Sequence, residues 1–252
     1  VSDGAVPPTA FAASAGAAAH VFVGELDDAV FVTGEDGHHL QRVRRLRTGE
    51  RVTAADGNGA WRAYVVARIA QGALSLTADG TVHREPVLAP ALAVAFALSK
   101  GPKPEAVVSG LTELGVDLIL PFRSARSVVR WEGDRVPTAT ARLRRVAREA
   151  AMQCRRARLP EIAEPVDVAT LALHPGVVLG DPTGRPVAEV AAPPEGEWLA
   201  VVGPEGGLDA AEREQLTGGD KATTVAVGPH VLRTETAAVA LAAALATRRH
   251  AA

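Results

Sequence analysis

A single cysteine, Cys154, stands in 252 residues, so no internal disulfide framework is available and the chain suits a reducing compartment. Long apolar runs are missing as well: none approaches the roughly 20 residues that a helix needs to cross a bilayer. Neither sign of charge dominates, with 27 Lys plus Arg against 29 Asp plus Glu. Overall basicity therefore does not announce a nucleic-acid partner, and the distribution of charge has to be read instead. Residues 1–19 hold no Lys or Arg and include Asp3 and Pro7-Pro8. A secretory signal needs a basic start, so this Ala-rich stretch is expected to be a disordered tail on a cytoplasmic protein. No G-x-G-x-x-G opens a strand-to-helix turn, since Gly57-x-Gly59 sits in a hairpin and lacks the third glycine, and no Gly-Lys-Ser/Thr occurs. A dinucleotide-binding oxidoreductase and a P-loop enzyme both lose their signature. His38 and His39 are adjacent with no third ligand at metal spacing, so no metal site is expected.

What is present divides near residues 84 to 91, where Arg84-Glu85-Pro86 and Pro90 interrupt the pattern. Residues 20–86 read as a small β domain. His20 to Val23, Arg51 to Ala55, Ala60 to Ile69 and Leu74 to Ala78 are strands, the middle pair joined by Asp56-Gly57-Asn58-Gly59, a hairpin signal. A short helix is expected around Asp36 to Leu46, with Leu40, Val43 and Leu46 on one face. From residue 90 to 252 the rhythm becomes strand then helix. Leu92 to Leu98 is continuously apolar, as in a strand covered on both faces. Pro104 suits the first turn of a helix ending at Gly115, and a long helix is expected from about Thr138 to Arg158. Gly176 to Gly180 is a further strand, and Asp209-Ala210-Ala211-Glu212 has capping-box spacing. Such alternation implies an α/β sheet.

Two segments carry the chemistry. Gly203-Pro204-Glu205-Gly206-Gly207 follows the apolar run Trp198 to Val202; Val227-Gly228-Pro229-His230-Val231-Leu232-Arg233-Thr234-Glu235-Thr236-Ala237 follows Thr224 to Val227. Apolar runs of that length read as buried parallel strands, and ligands of open α/β sheets gather in the loops beyond their carboxyl ends. The two loops read as walls of one pocket, with Leu179-Gly180 as a third. The three glycines of the first loop are expected to allow close approach and positive φ.

Together these segments resemble the RsmE-type methyltransferases of the knotted SPOUT class, whose cofactor loops are a GPEGG turn and an LG-x-x-(V/I/L)LRxETA turn. The likeness extends through Leu98-Ser99-Lys100, Thr112 to Val116, Pro121, Arg126-Ser127-Val128, Glu149 to Gln153, Gly37 to Leu40 and Val43 to Leu46, and so covers roughly residues 20 to 245. It implies an α/β SPOUT methyltransferase domain with a C-terminal trefoil knot, preceded by a PUA-like β-barrel that binds RNA. It implies S-adenosylmethionine as cofactor and methylation of N3 of a uridine in 16S ribosomal RNA, on the assembled small subunit. Cofactor contacts then fall to Leu179, Gly180, Gly203, Pro204, Glu205, Gly206, Gly207, Val227, Gly228, Val231, Leu232 and Thr234. Arg233 is the candidate for stabilising the target base or its phosphate, the alternative being an ion pair with Glu235 or a neighbouring subunit. Glu205 orients loop or substrate, or is a structural carboxylate. The rival from another class is a non-catalytic RNA-binding or ribosome-assembly protein that keeps the SPOUT fold and does not bind the cofactor.

Arginines cluster twice. Arg42, Arg44, Arg45, Arg47 and Arg51 lie on or after the short helix; Arg142, Arg144, Arg145, Arg148, Arg155, Arg156 and Arg158 crowd the long one, against the single acid Glu149. Acid-poor clusters favour phosphate contact, and RNA binding is assigned to Arg42, Arg44, Arg45, Arg47, Arg126, Arg155 and Arg156. The family commonly begins with an Arg-x-Phe segment; here Ala19-His20-Val21-Phe22 has no Arg, so no RNA contact is carried onto it. The Ala-rich run Ala237 to Ala246, with Ala238, Ala242 and Ala243, would let another helix approach closely. Packing of that run on its own sheet is the default reading of an Ala-rich helix, and a homodimer is expected from the resemblance.

Overall fold

The computed structural model describes residues 16–42, 44–70, 72–101, 103–129, 131–191, 193, 196–218 and 222–251. Two compact units result. The first runs up to Val87 and takes back Arg148–Leu159; the second is Leu88–Ala147 with the chain from Pro160 onward. Residues 1–15 of the expected tail, and Val43, lie outside the described residues.

In the first unit, β1 (Ala19–Phe22), β2 (Ala29–Val32), β3 (Arg51–Ala55), β4 (Ala60–Ala70), β5 (Ala73–Ala78) and β6 (His83–Arg84) surround one helix, α1 (Gly34–Arg42). The ladder runs β1-β3-β4-β5-β2, with β6 on β4, and only β1–β3 is parallel among these pairs. Asp56 makes the hairpin turn: its Oδ1 accepts from the N–H groups of Asn58 (2.7 Å) and Ala60 (3.0 Å). Alternate residues Val52, Ala54, Tyr64, Val66, Leu74 and Leu76 face inward with Leu40 and Leu46.

The second unit holds β7 (Leu88–Ala89), β8 (Ala91–Ala97), α2 (Lys103–Glu113), β9 (Leu118–Arg123), α3 (Arg135–Cys154), β10 (Glu161–Ile162), β11 (Val166–Asp167), α4 (Val168–Ala172), β12 (Val177–Pro186), β13 (Glu197–Val202), α5 (Ala210–Thr217), β14 (Thr223–Ala226), α6 (Thr234–Ala246) and β15 (His250–Ala251). Its sheet is parallel, ordered β10-β9-β8-β13-β12-β14. Strand β8 is buried on both sides. Leu92, Val94 and Phe96 meet Val107, Val108, Leu111, Leu143, Leu241 and Leu245 from the helices of one face, while Ala93, Ala95 and Ala97 meet the layer of Val168, Leu171, Leu208 and Leu216. Full burial of one such Leu or Phe contributes about 2 kcal/mol, so the doubly covered strands carry this unit.

Two expectations change, and the default reading of the Ala-rich helix holds. The sequence reading placed everything from residue 90 onward in one domain. The structure gives Arg148–Leu159 to the first unit, because Ala151 and Ala157 are buried with Phe22, Ala55 and Trp61. The long helix begins earlier, since Pro137 is tolerated in a first turn. It ends at Cys154, not at Arg158, because Arg155 takes φ 63 and breaks the ladder. The buried face of α6, Ala238, Leu241, Ala242 and Leu245, joins the core of its own unit, and the close approach is to Gly110 of α2, where a Cβ would stand 2.9 Å from Val239. Its small residues thus serve contacts within the chain.

Candidate functional site

A pocket opens at the carboxyl ends of β12, β13 and β14. Leu179, Gly180, Gly203, Pro204, Glu205, Gly207, Val227, Gly228, Val231, Leu232 and Thr234 all line it, so eleven of the twelve expected cofactor residues converge although they come from three loops. Gly206 is not in the lining; its carbonyl accepts from Arg126 Nη1 at 2.9 Å. The floor is apolar, built by Leu179, Val202, Val225 and Leu241. Pro204 to Gly207 closes as a turn, the Gly207 N–H donating to the Pro204 carbonyl at 2.8 Å. Of the turn's glycines, Gly207 alone takes positive φ, at 70, where the expectation had extended to Gly203 and Gly206. At Gly203 the constraint is steric: a Cβ would stand 3.2 Å from Leu208 Cγ. At Gly207 and Gly228 a Cβ would meet nothing within 4 Å, so both leave open space in the lining.

Side chains from elsewhere hold the loops in register. Thr234 Oγ1 donates to the Gly203 carbonyl at 3.0 Å, tying the second motif to the first. Lys103 Nζ reaches Glu205 Oε1 at 2.7 Å and Glu235 Oε2 at 3.6 Å. The hydrogen bond from Lys103 holds the Glu205 carboxyl below its ordinary range, and the same bond raises Lys103. Asp209 and Glu212 form the expected capping box at the start of α5. Asp181 also lines the pocket, paired with Arg213 and accepting from Thr183. Burial alone would raise its pKa, but the Thr183 bonds and Arg213 outweigh that and lower it. Sequence reasoning missed Lys103, Asp181 and Arg213. For Asp181 a signal existed, as it directly follows Leu179-Gly180 at a strand exit.

Arg233 is the residue before α6. Its side chain is exposed and has no hydrogen bond or ion pair among the described residues, and it is not in the pocket lining; Glu235 pairs with Lys103 instead. In the first unit, Arg42, Arg44, Arg45 and Arg47 are likewise exposed, with no acidic partner among the described residues. The arginines of the long helix are committed differently. Arg142 pairs with Glu105, Arg144 donates to the Ile162 carbonyl, and Arg148 is bound to Asp36 (2.7 Å) and the Phe22 carbonyl. Arg155 Nη2 donates to the Ala17 carbonyl at 2.8 Å, and Arg156 is half-buried with partners of its own. An acid-poor helix thus finds carbonyls and distant acids that its own sequence does not show. His20 is not presented to solvent: its Nδ1 is 2.7 Å from Thr53 Oγ1, and burial pushes its pKa down to about 4.

The parallel sheet carries this pocket at its carboxyl edge, and a small β unit precedes it in the chain. Residues 87–246 match the family described as RNA methyltransferase domain, and residues 32–77 match the RNA methyltransferase PUA domain. Ribosomal RNA small subunit methyltransferase E of Mycobacterium tuberculosis is 36% identical over 222 residues, covering 84% of each chain. The protein of that name from Bacillus subtilis is 29% identical over 218 residues, covering 82% of this chain and 85% of its own. The chain belongs to the ribosomal RNA small subunit methyltransferase E family. In fold it is similar to the Neisseria gonorrhoeae member bound to S-adenosyl methionine, with TM-score 0.79 and 23% identity over 91% of this chain and 97% of that one. A Legionella pneumophila methyltransferase with bound SAM gives TM-score 0.80 at 24% identity, with the same coverage. No helix among the described residues is long and apolar enough to cross a membrane.

Proposed function

We propose that this chain transfers a methyl group from S-adenosylmethionine to N3 of a uridine in 16S ribosomal RNA, on the assembled small subunit in the cytoplasm. The observation that carries this reading is the meeting of the GPEGG turn, the Leu179-Gly180 stretch of β12 and the Leu232-Arg233-Thr234 turn around one apolar-floored pocket. The residues fit the cofactor. Leu179, Val202, Val225 and Leu241 offer walls for a purine, and the glycines at 207 and 228 leave room for close approach of backbone groups. Asp181 and Glu205 put carboxylates on the lining of a site for a cationic sulfonium.

When bound, the cofactor supplies an electrophilic methyl carbon; the chain's own residues must place the base in line and manage its charge. N3 of uridine carries a proton at neutral pH, and its loss to solvent spreads negative charge over N3 and the carbonyl oxygens O2 and O4. Arg233, exposed and without a partner beside the pocket-lining Leu232 and Thr234, supplies the cation for that charge. Glu205 is ionised and already engaged by Lys103, so we assign it to holding the turn rather than to taking the proton. Arg42, Arg44, Arg45 and Arg47 provide phosphate contacts that position RNA without reading sequence. We read Arg126, Arg155 and Arg156 as further RNA contacts that also serve internal bonds. The threading is taken as the family's trefoil knot, in a segment where β13 enters between β8 and β12, and the active assembly as a homodimer.

Mass spectrometry of ribosomal RNA from a deletion strain should show loss of one 3-methyluridine, and calorimetry should show binding of S-adenosylmethionine and its demethylated product. An unchanged modification profile overturns the assignment, and absence of cofactor binding would return the non-catalytic reading. Sedimentation of a fully active monomer would remove the dimer.

A further inference from the structure

Three tryptophans occur in the chain, and Trp61 and Trp198 are buried at 1% and 2% exposure. Trp131 is different. It leans partly on the main core of the second unit and otherwise lines a separate cleft of about 520 Å³. This cleft abuts the cofactor loops through adjacent residues: Lys103 holds Glu205, and the next residue, Pro104, lines the cleft.

The charges in it are arranged by depth. Lys100 and Arg135 line it with exposed side chains that have no acidic partner among the described residues. Glu105 is largely covered; one carboxylate oxygen pairs with Arg142, while Oε2 is buried with no hydrogen-bond partner. A carboxylate is an anion with no donor, so the covered end would repel phosphate. The exposed cations do the opposite. An aromatic face, a covered carboxylate and exposed cations together match a nucleotide with its base inside and its phosphate outside. A purely anionic ligand would be met by Glu105 and Asp134.

We propose that the Trp131 cleft is the subsite for an unpaired nucleotide flanking the target uridine: the indole stacks on the base, the covered Glu105 carboxylate keeps phosphate out of the inner end, and Lys100 and Arg135 take the phosphate. The proposal rests on the methyltransferase reading for its role in turnover, but not for the binding itself. Because Trp61 and Trp198 are buried, they are shielded from a ligand in this cleft, and the part of the tryptophan fluorescence that such a ligand quenches reports on Trp131.

Titration of the full chain with a single-stranded oligouridylate, without cofactor, should give saturable quenching that is lost in Trp131→Leu. Inorganic polyphosphate at equal charge should quench little. With methyl-deficient small subunits, Trp131→Leu should raise KM at least fivefold with kcat and cofactor affinity unchanged, and Trp131→Phe should recover most of that loss. Should Trp131→Leu fail to fold, Arg135→Glu, on an exposed side chain, must weaken oligouridylate binding at least fivefold. Quenching that survives Trp131→Leu, equal quenching by polyphosphate, an unchanged KM, or full affinity in Arg135→Glu each overturns the subsite. Failure of the methyltransferase reading shows separately, as no methyl incorporation by the wild-type protein while quenching persists.

Discussion

Lys103 and Glu205 form an ion pair at 2.7 Å, and the same ammonium lies 3.6 Å from Glu235. One side chain at the start of α2 therefore holds the acids of both cofactor motifs. Lys103→Met leaves two carboxylates facing each other without a counter-charge. Affinity for S-adenosylmethionine should fall roughly fivefold, as expected for a partly exposed pair, with little change in Tm. The sign with pH follows from Glu205, whose pKa is lowered: the anchor is complete above the ordinary glutamate range and is lost as pH falls through the depressed value. Calorimetry at several pH values checks both, and equal affinity in Lys103→Met from neutral to acid pH counts against the anchor.

Arg233 has no partner to release it from, so Arg233→Ala should leave the fold and cofactor affinity intact. Loss of a cation aimed at developing charge typically costs about 100-fold in kcat. Single-turnover methylation of small subunits measures this directly. A change in KM alone would make Arg233 a binding residue.

The two final glycines of the turn should behave differently. Gly207 stands at φ 70, and an L-residue there costs about 1 kcal/mol or more in backbone strain. At Gly206 a Cβ would meet Arg126 at an ordinary 3.6 Å. Gly207→Ala should weaken cofactor binding, while Gly206→Ala should stay near wild type in calorimetric titration. Equal losses in both would contradict the assigned conformations.

His20 makes the protein sensitive to acid. Burial, with the Arg155 charge acting in the same direction and the Arg156 carbonyl opposing, holds its pKa at about 4. The unfolded chain binds the proton first, so stability is lost as pH falls from about 6.5 to 4 and levels off below. The difference is on the order of 3 kcal/mol. Urea denaturation of wild type and His20→Gln across that window should show a shallower pH dependence in the variant; parallel curves would assign acid sensitivity to other groups.

Arg249 is 1% exposed at its side chain and donates to the carbonyls of Leu88, Pro90 and Gly115 while pairing with Asp117. It lies beyond α6 and folds back onto β7. Arg249→Ala should cost about 2 kcal/mol by removing the buried guanidinium that joins three part-covered carbonyls to Asp117, which keeps the Leu92 N–H as a donor. Arg249→Lys should not restore it, since an ammonium cannot reproduce the planar fork. Thermal melts of both variants decide.

The long strands β3, β4, β5, β8 and β13, the capping box and the three pocket loops were legible because each is written in neighbouring residues, whereas β2 and the two-residue strands were not read. The convergence of eleven lining residues followed from a local rule, that parallel strands deliver their carboxyl-end loops to one edge. Gly206 and Gly207 were not separable, since the same residue type serves turn geometry and close approach alike.

The arginines show where local reading stops. Seven in a row of helix and following turn looked like one basic surface, yet Arg142, Arg144, Arg148 and Arg155 are spent on Glu105, Ile162, Asp36 and Ala17. Those partners lie up to 138 positions away, and a charge's availability depends on what folding brings within about 3 Å of it. Sequence alone therefore determined the elements, the cofactor loops and the family likeness, all of which are encoded at short range or in a motif. The tertiary structure alone decided that Lys103 binds Glu205 across 102 positions, that His20 is buried, and which cations stay free for RNA. Hydrogen bonds and ion pairs act over a few ångströms of space, and no spacing along the chain reports that distance.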